Sequence, residues 1–199
     1  MLKRFKEWLE VRIAIMSDLS EIQETNLAEK VRLSDSTIVL DDKQLIELSI
    51  AVESDIADIL RIQKLSYNGT IPWGEGALRR ELTHNKRALY LMAKDQNEAV
   101  AFIGTWFVDG ESHITNIAVI PEKQRNGIAY SLINKVIYLA KQQQMDKVSL
   151  EVRISNKQAQ NLYLKVGFKK SGIKKGYYAS NHEDALEMCL PLFENVRKI

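Results

Sequence analysis

Asn116-Ile117-Ala118-Val119-Ile120-Pro121-Glu122-Lys123-Gln124-Arg125-Asn126-Gly127-Ile128-Ala129 reads as a strand, a loop and the start of a helix, with small residues at the turn into the helix. Pro121 cannot donate to a ladder, so it breaks the chain after the strand. The first N–H groups of a helix have no intrahelical acceptor, and the helix dipole favours negative charge beside them. Such a turn suits a pyrophosphate. Gly127 and Ala129 let phosphates approach the backbone closely, and Arg125 adds a positive charge. A Walker loop would close on Gly-Lys-Ser/Thr, which is missing, and a dinucleotide fingerprint would need three glycines in an early βαβ unit. On the local pattern alone, a helix start that binds nothing fits equally well.

Working outward, the helix is expected over about 126–142, with Ile128, Ala129, Leu132, Ile133, Val136, Ile137 and Ala140 on its apolar face. A strand over 147–154 follows, in which Val148, Leu150, Val152 and Ile154 point one way and Ser149, Glu151 and Arg153 the other. A helix over 156–166 and strands over 168–174 and 185–190 close the chain. Upstream, strands are expected over 88–94, 99–108 and 112–119, the last two joined by an Asp109-Gly110 hairpin turn. A strand over 46–52 precedes a helix capped by Ser54 and running to about Tyr67. The breaker-rich stretch 68–76, which holds Trp73, is a loop before a short helix. Hairpins mixed with crossover helices mean an α/β fold with a mixed, mostly antiparallel sheet flanked by helices.

The first 44 residues read as an extension. Leu2, Phe5, Leu9, Ile13 and Met16 recur at helical spacing, and a second helix is expected from Ser17 or Asp18 to about Leu33. Basic residues flank the first stripe, so the extension either packs on the main domain or docks on a partner or a membrane surface. The chain then divides into an extension over 1–44, a main domain over 45–192 and a tail over 193–199.

With 28 basic and 26 acidic residues, the net charge of +2 does not mark a nucleic-acid binder. His84, His113 and His182 are scattered, and no cluster has metal-ligand spacing, so no metal is expected. Cys189, the single cysteine, reads as a buried structural residue in a terminal strand. Apolar runs are too short to span a membrane, and charges interrupt any signal-like segment near the N-terminus, so a cytoplasmic protein is expected.

Gln124-Arg125-Asn126-Gly127-Ile128-Ala129 matches the Gln/Arg-x-x-Gly-x-Gly/Ala signature of the GNAT acetyltransferases. Leu150-Glu151-Val152-Arg153-Ile154-Ser155-Asn156, Asn161-Leu162-Tyr163 and Val166-Gly167-Phe168 follow in order, with Ile71-Pro72-Trp73 upstream and Tyr177-Tyr178 downstream. Over about 45–192 the set resembles the bacterial ribosomal-protein-alanine N-acetyltransferases within that superfamily. The resemblance implies acetyl-CoA as co-substrate. Backbone groups of Ile117, Ala118 and Val119 would pair with its pantetheine arm. Arg125, Asn126, Gly127, Ile128, Ala129 and Tyr130 would hold the pyrophosphate, and Asn156 would hydrogen-bond the arm. Glu151 is implied as general base and Tyr163 as general acid.

The chemistry is consistent with these types. An amine attacks a thioester only when neutral; at pH 7 that costs roughly 1 kcal/mol for an α-amine and about 4–5 kcal/mol for lysine. An N-terminal acceptor therefore needs only a modest base, directly or through one water. A backbone N–H near Val119 suits the oxyanion. Each residue has a plainer reading: Glu151 as a solvated strand residue, Tyr163 as a core aromatic, Asn156 as a helix cap. Trp73, Tyr177 and Tyr178 either line the acceptor mouth or brace it. The expected reaction is acetylation of a protein N-terminus, the alanine of a small-subunit ribosomal protein. The alternatives are a small-amine or lysine acetyltransferase, or a non-catalytic coenzyme-A-binding module.

Overall fold

The computed structural model describes residues 26–33, 36–40 and 43–193. The first helix expected in the extension lies outside the described residues, as does most of the second; of the latter, α1 (Leu27–Lys30) is helical, capped by the Asn26 side chain on the Ala28 N–H at 3.1 Å.

Eight strands form one sheet: β1 (Thr37–Val39), β2 (Leu45–Ile50), β3 (Ala88–Asp95), β4 (Glu98–Val108), β5 (Glu111–Val119), β6 (Lys147–Arg153), β7 (Lys169–Tyr178) and β8 (Glu183–Pro191). Their order is β1-β2-β3-β4-β5-β6-β8-β7, and only β5 and β6 pair in parallel. Helices α2 (Ile56–Ser66), α3 (Glu75–Thr83), α4 (Ile128–Gln142) and α5 (Lys157–Val166) complete the α/β fold. Helix α2 packs on β4 and β5 and against α3, while α4 packs on β4, β5 and β6 and against α5. Because β1 joins the sheet and Leu27, Val31, Ile38 and Leu40 are buried, the core begins upstream of residue 45.

The central strands are buried on both faces, from Ala88 to Ala93 and from Ala99 to Phe107, and their residues are apolar but for Thr105. In β6, by contrast, Val148, Leu150 and Val152 are buried and alternate with less buried polar residues. Two ends differ from the sequence pattern. Strand β2 stops at Ile50 and β6 at Arg153, so Val52 and Ile154 are exposed rather than in register with their strands. Ser54 does not cap α2; it sits inside a 3-10 turn (Glu53–Asp55), and the Asp55 carboxylate accepts the Val52 N–H at 2.9 Å.

One irregularity opens the sheet. Thr105 pairs with Ile114 and Gly104 with Asn116, which leaves Thr115 as a bulge. On the other edge of β5, pairing with β6 ends at Ile114–Leu150. Beyond that point β5 keeps β4 but loses β6, so its edge over residues 116–119 is open. Among the described residues, no helix is long and apolar enough to cross a membrane.

Candidate functional site

The open edge of β5 runs into the turn before α4. Arg125 and Gly127 there have φ of 69° and 84°, a conformation that glycine adopts without strain. The result is a run of outward N–H groups. From Arg125 through Asn126, Gly127, Ile128 and Ala129 to Tyr130, no backbone N–H has a hydrogen-bond acceptor among the described residues; the first is Ser131, which donates to the Gly127 carbonyl at 2.9 Å. These donors and the start of a 15-residue helix make a cradle for an anion. Arg125 is exposed at its rim, and Lys165 reaches over the Tyr130 ring at 5.5 Å.

Ladder alternation turns the N–H and C=O of Ile117 and Val119 away from β4, toward the opening. The end of α2 meets them there. Tyr67 Oη is 2.9 Å from the Ile117 carbonyl and 2.8 Å from Asn116 Oδ1, and Ser66 Oγ donates to the Val119 carbonyl at 2.9 Å. Gln124 Nε2 donates to that same carbonyl at 3.0 Å and ties the cradle to the strand. Ala118, between these two residues, is buried.

Glu151 follows the last β5–β6 pair, so its strand delivers it beside the opening. Its side chain is 9% exposed and held from two sides. Lys174 Nζ lies 2.6 Å from Oε1 and His113 Nε2 lies 3.0 Å from Oε2; Tyr177 Oη is 3.5 Å from Oε2. Burial pushes the Glu151 carboxyl up, but His113 and Lys174 outweigh it and bring it down to about 2. It is therefore a carboxylate at neutral pH.

Tyr163 lies on the inner side of α5 with its ring 5.9 Å from Phe168, and burial pushes its hydroxyl up to about 12. Tyr67, Tyr163 and Tyr178 are close enough to perturb one another electrostatically, and Glu151 perturbs Tyr177 and Tyr178. Thus Glu151, Tyr163, Tyr177 and Tyr178 share one neighbourhood. Arg153 stacks 3.9 Å over the Tyr178 ring.

Two residues carry structural duties. Asn156 caps α5, its Oδ1 accepting the Ala159 N–H at 3.0 Å, which leaves its Nδ2 as the group for a ligand. Trp73 is 6% exposed; its N–H and C=O both bond the side chain of buried Gln63 at 2.9 Å, and its ring packs edge-on against Trp106. This braces the loop. Three site residues escaped the sequence reading: His113, Lys174 and Tyr67. Each meets the site across strands or from another helix, and the only sequence trace is the alternation of Glu111 with His113 and of Ser149 with Glu151. Among the described residues, no group of His, Cys, Asp and Glu could hold a metal ion.

Residues 56–168, from the start of α2 to the end of the α5 turn, match the model of the acetyltransferase (GNAT) family. The chain belongs to the GNAT acetyltransferases. A Bacillus subtilis (strain 168) protein is 36% identical over 140 residues, 70% of this chain and 91% of its own length; it carries the provisional name of a [ribosomal protein bS18]-alanine N-acetyltransferase. The protein so named without qualification from Salmonella typhimurium is 32% identical over 147 residues, 73% of this chain and 97% of its own. The crystal structure of the ribosomal-protein-S18-alanine N-acetyltransferase from Escherichia coli superimposes with a TM-score of 0.69 at 28% identity, covering 77% of this chain and 98% of that one. This GNAT protein is thus an acyltransferase, and GNAT enzymes use acetyl-CoA. The cradle at 125–130 and the open edge of β5 fit that co-substrate, since free N–H donors suit its phosphates and an unpaired strand edge suits its amide-bearing arm.

Proposed function

We propose that this enzyme acetylates the N-terminal α-amine of a protein in the cytoplasm, with the alanine terminus of ribosomal protein bS18 as its acceptor. The observation that carries the reading is Glu151: an ionised, fixed carboxylate beside the open strand edge, within reach of Tyr177. Support for the acceptor comes from the relatives named for that reaction, which this chain covers nearly end to end.

In this reading the N–H groups at 125–130 bind the pyrophosphate, with Tyr130 and Arg125 at the rim, and the β5 edge at Ile117 and Val119 holds the arm, the backbone groups of Ala118 between them being turned to β4. Asn156 Nδ2 adds a hydrogen bond. The bound co-substrate supplies an activated acetyl thioester. Tyr177 and Tyr178 border the acceptor, while Trp73 fixes the loop beside it.

His113 and Lys174 hold the Glu151 carboxyl far below a free α-amine, so it does not carry a proton before attack. Glu151 therefore anchors the ammonium, lets water take the first proton and accepts one only as the N–C bond forms and the nitrogen becomes more acidic. The Val119 N–H, on the open edge, stabilises the oxyanion. Tyr163, neutral at working pH, donates its proton to the departing thiolate.

Mass spectrometry of the purified chain with acetyl-CoA and a peptide beginning with free alanine, beside spermidine and a lysine peptide, tests this. One acetyl group on the alanine α-amine is the expected result. Acetyl on spermidine or lysine instead would overturn the acceptor and keep the chemistry; no acetylation despite coenzyme A binding would favour a non-catalytic module.

A further inference from the structure

Behind Glu151 lies a buried row of polar groups that the reaction as described does not use. Parallel register sets it out: Glu111 is opposite Lys147 and His113 opposite Ser149, so four side chains of one face of β5 and β6 line up with Glu151. His113 Nε2 is 3.0 Å from Glu151 Oε2, and His113 Nδ1 is 2.7 Å from Ser149 Oγ. Ser149 Oγ donates to Glu111 Oε1. Glu111 Oε2 is 2.9 Å from Lys147 Nζ, where the row reaches solvent.

The hydrogen-bond inventory fixes the protons. Nε2 faces a carboxylate, so it must carry a hydrogen. Ser149 has one proton, and it is spent on Glu111; its oxygen can only accept from Nδ1. Both ring nitrogens are then donors, which is true only of imidazolium. The surroundings agree. The charged groups near the ring are Glu111 on its own strand, Lys147 and Glu151 on β6, Lys174 on β7, and Glu187 on β8, which takes the other side of Lys174 at 3.1 Å. Opposite His113 on β4 stands Trp106, whose indole N–H is on Glu81 of α3. Burial alone would push the imidazole down, but Glu111 and Glu151 hold it above its ordinary value.

We infer that His113 is a fixed imidazolium beneath Glu151, held by Ser149 and Glu111, and that it acts through Glu151 as a positioning residue for acetyl transfer. It pins Oε2 and keeps the carboxylate ionised, so that Oε1 is the oxygen turned to Lys174 and to an incoming ammonium. The functional half of this rests on the reading that Glu151 handles the acceptor amine; the protonation half does not.

Nitrogen-15 NMR of the His113 ring in the full chain tests the first half. Two protonated nitrogens at pH 7, persisting well above the pH at which an ordinary histidine titrates (about 6.5), are expected; a neutral tautomer at pH 7 would overturn the inference whatever the acceptor proves to be. The second half is read from pH profiles of kcat with any acceptor the enzyme takes. Ser149→Ala does not touch Glu151, yet the alkaline decline of kcat should begin at least half a pH unit lower. Ser149→Thr, which keeps the hydroxyl, should restore the wild-type profile. His113→Gln should lower kcat at least tenfold while KM for acetyl-CoA stays within twofold. Unshifted profiles in Ser149→Ala would sink the positioning role, and this variant keeps the test open if His113→Gln does not fold.

Discussion

Glu151 and Tyr163 carry opposite electrostatic histories in one neighbourhood. Two cations pull the carboxyl down, whereas burial alone pushes the phenol up. Substitution should therefore separate chemistry from binding. Glu151→Gln is expected to lower kcat by about 10²–10⁴-fold with coenzyme A affinity within twofold, read by acetyl transfer beside calorimetric titration. Tyr163→Phe should lower kcat by a similar order, and its loss should be nearly constant between pH 6 and pH 9, since a hydroxyl near 12 does not titrate there. A strong pH dependence of that loss would argue against proton donation by Tyr163. As candidates both were legible in the sequence because a motif names them. His113, Lys174 and Tyr67 were not, because strand register and helix docking brought them to the site.

Two elements owe their function to a departure from regularity. The turn into α4 holds Gly127 at φ 84°, and an added Cβ there would meet no atom within 4 Å. Gly127→Ala thus carries a purely conformational penalty of about 1–2 kcal/mol. It should weaken coenzyme A binding more than it alters kcat at saturation, as titration and turnover can distinguish. The bulge between β4 and β5 is different. A Cβ on Gly104 would stand 2.5 Å from the ring of Tyr90, which is fully buried. Gly104→Ala is expected to cost about 1–3 kcal/mol of overpacking, seen in urea unfolding, and to disturb the opening at Asn116, its partner across the ladder. The helix and strand periods were readable along the chain, but a bulge is a property of two strands and has no signature in either one alone.

Taken whole, the sheet is also a pH-sensitive structure. Glu151 lies near 2 when folded against an ordinary value of 4.5, a depression, so its contribution to stability is present above 4.5 and is lost as pH falls toward 2. His113 is raised, so its contribution is present below its ordinary 6.5 and is lost as pH climbs through the raised value. Urea unfolding measured across pH should show a plateau from about pH 5 to pH 6.5, with a fall on the acid side as Glu151 protonates. An unfolding free energy that stays flat from pH 5 to pH 2 would contradict the ionised network. The sequence by itself determined the α/β class and the family, and it singled out the turn before α4 and the pair Glu151 and Tyr163 as candidates, because hydrophobic period, turn chemistry and motif spacing are local along the chain. Only the tertiary structure decided where β5 parts from β6, that Trp73 braces a loop, and that Glu151 is locked between His113 and Lys174. Those depend on which strands pair and in what register, and pairing is set by packing between residues far apart in the chain.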